Sequence, residues 1–323
     1  MISTITLNPS IDQHIIVRNL VKDDANRAEA IFRTPGGKGI NVSKVIRELG
    51  GKTRAYSLLA GVQGQFLRKL VAELDIPLTT LAVPGETRIN TILTDLKDGT
   101  QTRISAPGPH IPEKDIRAFL KKLLSARPKP FLWALGGSLS LGMKPETYRI
   151  FIAALQRNGT RCILDTDNEA LRCGIQARPF MIKPNEHEIQ RLIRRKLGTL
   201  EEYLEAAKML VAKGIKIVVV SLGKKGALFV SEKEAFHVLT PKVLVKSKVG
   251  AGDSLIGGFA LALARKKSLR EAAYLGIAAS TSAVMREAPR LCLRSDIPKL
   301  ISQLKIRSFS PPRSLLQSGV SKV

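Results

Sequence analysis

The chain has 323 residues, of which 44% are hydrophobic and 24% charged, a composition that is typical of globular proteins and excludes a disordered or fibrous chain. It contains no uncharged apolar run of 18 residues, so we expect no membrane-spanning segment. The formal net charge of +25 raises the possibility of nucleic-acid binding, but the basic residues are dispersed and not interleaved with aromatic ones, so we expect no specific nucleic-acid partner.

The N-terminal segment MISTITLNPSID leads directly into a predicted strand and lacks the basic and apolar regions of a signal peptide. We therefore expect a cytoplasmic protein. The cysteines Cys162, Cys173 and Cys292 are odd in number and widely spaced, which fits neither a disulfide framework nor a zinc cluster. We expect all three to be reduced thiols.

The first hundred residues contain short stretches of alternating polarity around a helical segment, INVSKVIRELGG. Two of these stretches, TRINTILTDL and TQTRISA, are separated by the turn signal KDG. The pattern predicts a small antiparallel β-sheet, with strands within about residues 10–34 and 86–106. Beside a larger body, such a sheet suggests a lid.

From about Pro130 onward, apolar strand-like segments alternate with amphipathic helical ones. This alternation predicts an α/β fold in which a mainly parallel central sheet is flanked by helices. We expect one domain over residues 1–307. The Ser- and Pro-rich segment 308–323 is predicted to be a disordered tail.

Ligands of open parallel sheets bind beyond the carboxyl ends of the strands. Glycines, hydroxyls, an amide and carboxylates follow the predicted strands here, and Asp165 is among them. These residues therefore indicate one edge of the sheet as the candidate site.

The segment VGAGDSLIGG leaves two interpretations open. Asp253 is suited to stabilise a helix N-terminus, because a carboxylate there interacts favourably with the helix dipole. Alternatively, the amides of Gly250 to Gly252 bind an anion while Asp253 acts as a general base toward a hydroxyl. The segment matches neither a Walker loop nor a dinucleotide-binding fingerprint, so any phosphate site here has another design.

Two further segments also have a structural and a functional interpretation. In KPNEHE, Asn185 and Glu188 form either a capping box or a site for hydrated Mg²⁺. TPGGKGIN is either a tight turn into a helix or a surface on which a polyhydroxylated ligand lies against glycine backbone, with Asn41 as a hydrogen-bond partner. Arg88 and Arg103, on the lid strands, could bind a phosphate group if they are not simply solvated.

Together these segments resemble the PfkB or ribokinase-like carbohydrate kinases. PGGKGINVSKVIRELGG resembles the first family signature and KVGAGDSLIGGF the second, while KPNEHE is similar to the N-x-x-E element and VVVSLGKKGAL to the nucleotide-side strand and hairpin. The resemblance extends from TLNPSID to about Leu291. It implies a ribokinase-like fold with an antiparallel lid, ATP as phosphoryl donor, Mg²⁺, and a homodimer formed through the lid.

The resemblance also implies roles for individual residues. It identifies Asp253 as the catalytic base and the amides of Gly250, Ala251 and Gly252 as the anion hole. On the nucleotide side it implicates Lys183, Asn185, Ser221, Gly223 and Gly226, with Glu188 and Asn185 holding Mg²⁺ through water. On the sugar side it implicates Asp12, Gly36, Gly37, Asn41 and Ser138, with Arg88 and Arg103 on the sugar phosphate.

Within the family, the phosphosugar kinases are most similar. TLNPSID, GGKGIN and TRIN resemble the 1-phosphofructokinase and tagatose-6-phosphate kinase group, whereas DTDNEAL and PRLC resemble the minor bacterial 6-phosphofructokinase. We favour fructose 6-phosphate as the acceptor, with those two activities as alternatives and a nucleoside or free-sugar kinase as a more distant one. Ser140 stands where the family usually has Pro, which leaves the shape of that loop open.

Overall fold

The computed structural model describes residues 1–287 and 289–310. Its strands are β1 (Ile2–Thr6), β2 (Ser10–Val17), β3 (Ala28–Gly36), β4 (Thr53–Ala60), β5 (Leu78–Val83), β6 (Arg88–Asp95), β7 (Gln101–Ile104), β8 (Leu132–Gly136), β9 (Arg161–Asp165), β10 (Met181–Ile182), β11 (Ile217–Ser221), β12 (Ala227–Ser231), β13 (Ala235–Leu239) and β14 (Lys305–Phe309). Its α-helices are α1 (Lys38–Glu48), α2 (Gly61–Ala72), α3 (Glu113–Leu124), α4 (Thr147–Arg157), α5 (Asn168–Gly174), α6 (Glu186–Ile193), α7 (Leu200–Ala212), α8 (Ala251–Ala264), α9 (Leu269–Val284) and α10 (Ile297–Gln303).

Ten strands form the large sheet, in the order β14-β13-β12-β11-β10-β9-β8-β1-β4-β5. The strands from β11 to β5 pair in parallel, and the strands from β11 to β14 pair antiparallel. The predicted α/β class with a mainly parallel central sheet is therefore confirmed.

Both faces of the large sheet are covered by helices, and this explains why its strands are nearly continuous apolar runs. In β8, Leu132 and Ala134 belong to the cluster that includes residues of α1, α8 and α9, while Trp133 and Leu135 belong to the cluster on the opposite face. Side chains alternate along a strand, so a sheet buried on both sides needs apolar residues at successive positions.

The second sheet has the order β3-β2-β6-β7. Its outer pairs are antiparallel as predicted, but its central pair, β2 with β6, is parallel. The reason lies in the connections. Strands β1 and β5 run parallel within the large sheet, and the chain leaves the carboxyl end of each to enter β2 and β6, so these two strands start in the same direction.

The C-terminal part of the chain differs from the prediction where the structure describes it. Ser308 and Phe309, which were assigned to a disordered tail, lie in β14, which pairs with β13 at the edge of the large sheet. The rest of the predicted tail from 311 onward lies outside the described residues. Cys162, Cys173 and Cys292 are buried and form no disulfide.

No helix within residues 1–287 and 289–310 combines the length and the apolar character that crossing a membrane requires.

Candidate active site

A cavity of about 1010 Å³ lies between the carboxyl ends of the parallel strands and the small sheet. Predicted site residues from the small sheet and from the strand ends of the large sheet meet in this cavity. The predicted site residues that line it are Asp12, Gly37, Asn41, Arg88, Arg103, Ser138, Lys183, Asn185, Glu188, Ser221, Gly250, Gly252 and Asp253.

Four predicted site residues do not line this cavity: Gly36, Ala251, Gly223 and Gly226. A Cβ on Gly36 would lie 2.5 Å from Asp12 Cγ, so this glycine makes room for the carboxylate beside it. Gly226 has φ +91°, and a Cβ there would lie 2.0 Å from the Val238 carbonyl oxygen. The turn into β12 therefore requires glycine at position 226, whether or not a nucleotide binds nearby.

Asp253 lies in the first turn of α8 and is only 7% exposed. One carboxylate oxygen, Oδ2, accepts a hydrogen bond of 2.8 Å from Asn41 Nδ2. Burial raises the pKa of Asp253 above its ordinary value, and the field of Asp165 adds to this, while Lys38, Asn41 and Lys183 act in the opposite direction. The arrangement holds a carboxylate with raised basicity at a fixed position, which is what a general base requires.

The N-terminus of α8 begins at Gly250, which has φ +75°. A Cβ at this position would lie 2.2 Å from Leu291 Cδ2, so both backbone conformation and packing require glycine here. The first intrahelical bond runs from the Ser254 amide to the Gly250 carbonyl at 2.8 Å. The amides before Ser254 therefore have no acceptor within the helix and are available to an anion in the cavity.

Two lysines flank Asp165 at the end of β9. Lys38 Nζ and Lys183 Nζ lie 3.2 Å and 3.3 Å from Asp165 Oδ1. Burial would raise the pKa of Asp165, but the two ammonium groups outweigh this effect and lower it. Burial would likewise lower the pKa of Lys38, but the carboxylates of Asp165, Asp253 and Glu188 raise it. Lys38 and Lys183 thus both pair with the one carboxylate of Asp165.

Lys183 also lies directly against the start of α8, since a Cβ on Gly252 would be 3.0 Å from Lys183 Nζ. The helix amides and this ammonium group thus converge on one place beside Asp253. Positive charge held in a buried position, with little reorganisation needed, stabilises negative charge that develops during a reaction.

Asp12 occupies the lid side of the cavity. Its Oδ1 accepts hydrogen bonds of 2.8 Å from both Ser10 Oγ and Asn90 Nδ2, and the residue is 7% exposed. Two donors on one oxygen leave the other available, so Asp12 is suited to accept hydrogen bonds from ligand hydroxyls.

Arg88 and Arg103 lie at the lid end of the cavity. The guanidinium of Arg88 donates to the carbonyls of Ala106 and Asn8, each at 3.0 Å, which fixes its orientation. Burial lowers the pKa of Arg88, and the field of Arg103 acts in the same direction, while Asp12 opposes both. Two neighbouring guanidinium groups favour an anionic ligand group between them.

Ser140, which departs from the family pattern, is buried, and its Oγ donates to the Leu7 carbonyl at 3.2 Å. Next to it, Asn8 Nδ2 donates to Ser138 Oγ at 3.2 Å and to the Leu139 carbonyl at 3.1 Å. The loop is thus held by side-chain hydrogen bonds, and Ser138 remains in the lining of the cavity.

The two interpretations of KPNEHE turn out to be partly compatible. Asn185 Oδ1 accepts from the amides of His187 and Glu188 at 2.9 Å each, and Glu188 Oε2 accepts from the Asn185 amide at 2.9 Å. This is a complete capping box. The capping box uses both lone pairs of the Asn185 oxygen, whereas Glu188 has a second carboxylate oxygen that is not engaged in it. Both residues line the cavity, and their predicted contact with Mg²⁺ through water stays a prediction.

The described residues contain no cluster of three or more His, Cys, Asp or Glu side chains arranged to hold a metal ion. Mg²⁺ does not require such a cluster, because it commonly binds through one or two carboxylates together with water and substrate phosphates. The hard oxygen donors of Glu188 and Asp165 line the same cavity and fit this chemistry.

Lys38 is the main site residue for which the sequence analysis gave no role. It stands inside the quoted segment TPGGKGIN, and a lysine within a glycine-rich turn was a signal that could have been used. Asp165 was noted only as a strand-end residue, and Asn8 and Lys248 also line the cavity. The pairing of Lys38 with Asp165 could not be foreseen, because 127 positions separate them and only the sheet order brings them together.

Comparison with known proteins agrees with the resemblance to carbohydrate kinases that the sequence motifs indicated. Residues 5–296 match the family described as pfkB family carbohydrate kinase. The chain is 35% identical over 305 residues to ATP-dependent 6-phosphofructokinase isozyme 2 of Escherichia coli, covering 94% of this chain and 98% of that protein. It is 31% identical over 306 residues to 1-phosphofructokinase of Bacillus subtilis, covering 95% and 99%.

A solved structure of the tetrameric inhibited form of phosphofructokinase-2 from Escherichia coli is also similar, with a TM-score of 0.88 and 34% sequence identity. The similarity covers 93% of this chain and 98% of that one.

Proposed function

The chain belongs to the pfkB family of carbohydrate kinases, and we propose that it transfers the γ-phosphoryl group of ATP to a hydroxyl of a fructose phosphate. One observation carries the proposal: a single cavity holds the Asp253 carboxylate and the α8 amides at one end, and Arg88 with Arg103 at the other. A free sugar would offer these two arginines no anionic group to bind.

The proposed acceptor is fructose 6-phosphate, which would be converted to fructose 1,6-bisphosphate. The 6-phosphofructokinase relative is 35% identical to this chain, against 31% for the 1-phosphofructokinases. On this difference we choose fructose 6-phosphate, with fructose 1-phosphate as the second candidate and tagatose 6-phosphate as the third.

In the proposed mechanism, Asp253 accepts the proton of the acceptor hydroxyl as its oxygen bonds to the γ-phosphorus. The bond between that phosphorus and the oxygen bridging it to the β-phosphate breaks, and ADP leaves with the electron pair. Amides at the start of α8, together with Lys38 and Lys183, stabilise the negative charge on the transferred group. Asn41 holds Asp253 in place through its 2.8 Å hydrogen bond.

The donor side of the site is proposed to include Mg²⁺, which kinases of this family generally use. Glu188 is the residue that would hold the ion, with water and ATP phosphates completing its ligands. When bound, the ion neutralises charge on the phosphates. Ser221 and Lys183 are proposed to contact the nucleotide, since both line the cavity beside Glu188.

We also propose a homodimer formed through the small sheet. Cross-strand pairs place Asp12, Asn90 and Arg103 on one face of this sheet, toward the cavity. The other face carries Ile31 and Ile104, which are 59% and 63% exposed. Large exposed apolar side chains on edge strands favour pairing with another copy.

We propose a cytoplasmic location because ATP and sugar phosphates are available there.

The acceptor is tested by measuring ATP turnover with fructose 6-phosphate, fructose 1-phosphate, tagatose 6-phosphate and ribose. We expect the highest kcat/KM with fructose 6-phosphate and little turnover of ribose.

Arg88→Ala should raise KM for the sugar phosphate about ten- to a hundredfold, because a charged hydrogen bond is lost, while KM for ATP changes little. Arg157→Ala, on the surface of α4 away from the cavity, is the control.

Equal effects of Arg88→Ala on both KM values would contradict phosphate recognition by this residue. A preference for ribose over all three sugar phosphates would contradict the proposed substrate class.

A further inference from the structure

A second cavity, of about 500 Å³, lies further along the face of α1 that contributes Asn41 to the candidate site. None of its lining residues also lines the first cavity. They are Thr34 and Pro35 at the end of β3, Lys44, Arg47 and Glu48 of α1, Leu74 and Ile76 before β5, and the segment 289–293. The proposed phosphoryl transfer uses none of them.

The charged residues of this second cavity are predominantly basic. Lys44, Arg47 and Arg290 stand against one carboxylate, Glu48. Glu48 Oε1 already accepts a hydrogen bond of 2.9 Å from the Arg294 amide. Arg47 lies 3.8 Å from Asp75, but both side chains are exposed, so this ion pair neutralises little of the positive charge. The cavity therefore presents excess positive charge to whatever enters it.

Among the cations of this cavity, Lys44 is partly buried. The structure gives its ammonium no salt bridge and no hydrogen bond within residues 1–287 and 289–310. Burial lowers the pKa of Lys44, while the fields of Asp12 and Asp253 oppose this effect. A partly buried ammonium that lines a cavity without a carboxylate partner is stabilised when an anion binds there.

Hydrogen bonds between distant segments hold the walls of the cavity. The Leu293 amide donates to Ser282 Oγ at 2.9 Å, and the Arg294 amide to Glu48, so both hydrogen bonds hold the segment 289–293 against α1 and α9. Ile76 and Cys292 are 3% exposed, and with Pro35 they supply an apolar surface beside the cations. Leu291 in the same wall packs on Gly250, so the cavity adjoins the start of α8.

We propose that this cavity is a second ligand site, which binds a small organic phosphate monoester. Its phosphate group would pair with Lys44, Arg47 and Arg290, and its carbon skeleton would lie against the apolar wall. The volume of about 500 Å³ is larger than a phosphate ion needs and lies within the range of small-molecule sites. The combination of cations at one side and apolar residues at the other selects such an amphipathic anion.

Calorimetric titration of the full chain with phenyl phosphate and with inorganic phosphate tests the proposal. We expect Arg88→Ala to weaken binding at the first cavity about ten- to a hundredfold, so that one tight site per chain remains. Within that background, Lys44→Met should weaken phenyl phosphate binding about ten- to a hundredfold, through loss of a charged contact. Arg290→Gln, on an exposed loop, is a second variant that leaves the helix intact, and Lys52→Met is the control.

The apolar wall should make phenyl phosphate bind about tenfold more tightly than inorganic phosphate. The proposal fails if the Arg88→Ala protein binds neither compound, or if neither Lys44→Met nor Arg290→Gln weakens binding relative to Lys52→Met. If Arg88→Ala leaves two tight sites, the assignment of Arg88 in the proposed function fails instead, and loss of one of them in Lys44→Met still supports the second site.

Discussion

The ionisation of Asp253 depends on residues from distant parts of the chain. Its own helix buries it, Asn41 donates to it from α1, and Lys38 and Asp165 act on it through their charges. Burial alone would favour the protonated acid, which cannot act as a base. The hydrogen bond from Asn41 opposes the effect of burial on the pKa of Asp253, so we expect this amide to contribute to the proposed catalysis without contacting the sugar.

Asn41→Leu removes the donor that lowers the pKa of Asp253. The pKa of Asp253 should therefore rise, and because the base works only when deprotonated, the acid limb of the kcat/KM profile should move to higher pH. Asn158→Leu, which removes an amide hydrogen bond to Leu124 outside the cavity, is the control for Asn41→Leu.

Asp253→Asn should lower turnover about 10²- to 10⁴-fold at every pH, with ATP binding retained.

An unchanged acid limb in Asn41→Leu would contradict the role of this hydrogen bond. Near-normal turnover by Asp253→Asn would contradict the assignment of the base.

At the scale of single elements, the start of α8 depends on a backbone conformation and on a neighbouring loop. Gly250 has φ +75°, and Leu291 fills the space where a Cβ would be. The same turn directs the first amides of the helix toward Lys183 and the cavity. One arrangement can therefore serve both helix initiation and the proposed anion binding, and the two interpretations of VGAGDSLIGG do not exclude each other.

Gly250→Ala should lower the free energy of unfolding by about 1–3 kcal/mol and also reduce kcat, because the turn must shift to relieve the contact with Leu291. Gly99→Ala is a matched control: Gly99 has a similar φ of +70°, but nothing lies within 4 Å of a Cβ there. It should show only the backbone cost of about 1–2 kcal/mol, with kcat unchanged. Denaturant titration and steady-state kinetics measure both effects, and equal kcat losses in the two variants would contradict this explanation.

At the scale of the whole molecule, the small sheet has two faces with different chemistry. One face carries polar residues of the cavity, and the other leaves Ile31 and Ile104 exposed at the two edge strands. A partner copy that covers the second face would shield both the apolar side chains and the edges. The similar Escherichia coli structure is a tetramer in its inhibited form, and a tetramer contains more than one interface between copies.

Light scattering should give twice the mass of the chain. Ile31→Asp and Ile104→Asp should each shift the protein toward the monomer, because a carboxylate would be buried at the interface. Ile150→Asp is the control, since Ile150 is 51% exposed on α4. A dimer that persists in both lid variants would place the interface elsewhere.

The sequence was sufficient for those features that depend on local order. Alternating apolar segments predicted the parallel sheet, because strands and helices have different hydrophobic periods. Capping residues and glycines marked the starts of α6 and α8, and strand ends indicated where Asp253, Glu188 and Lys183 would meet.

The tertiary structure decided what depends on strand order and on contacts between distant segments. It made the β2–β6 pair parallel, paired Lys38 with Asp165, and joined Asn41 to Asp253 across 212 positions. It also placed Ser308 in β14 instead of in a tail. Local patterns cannot give these results, because the free energy of each contact depends on which neighbour the fold provides, and sequence spacing does not specify that neighbour.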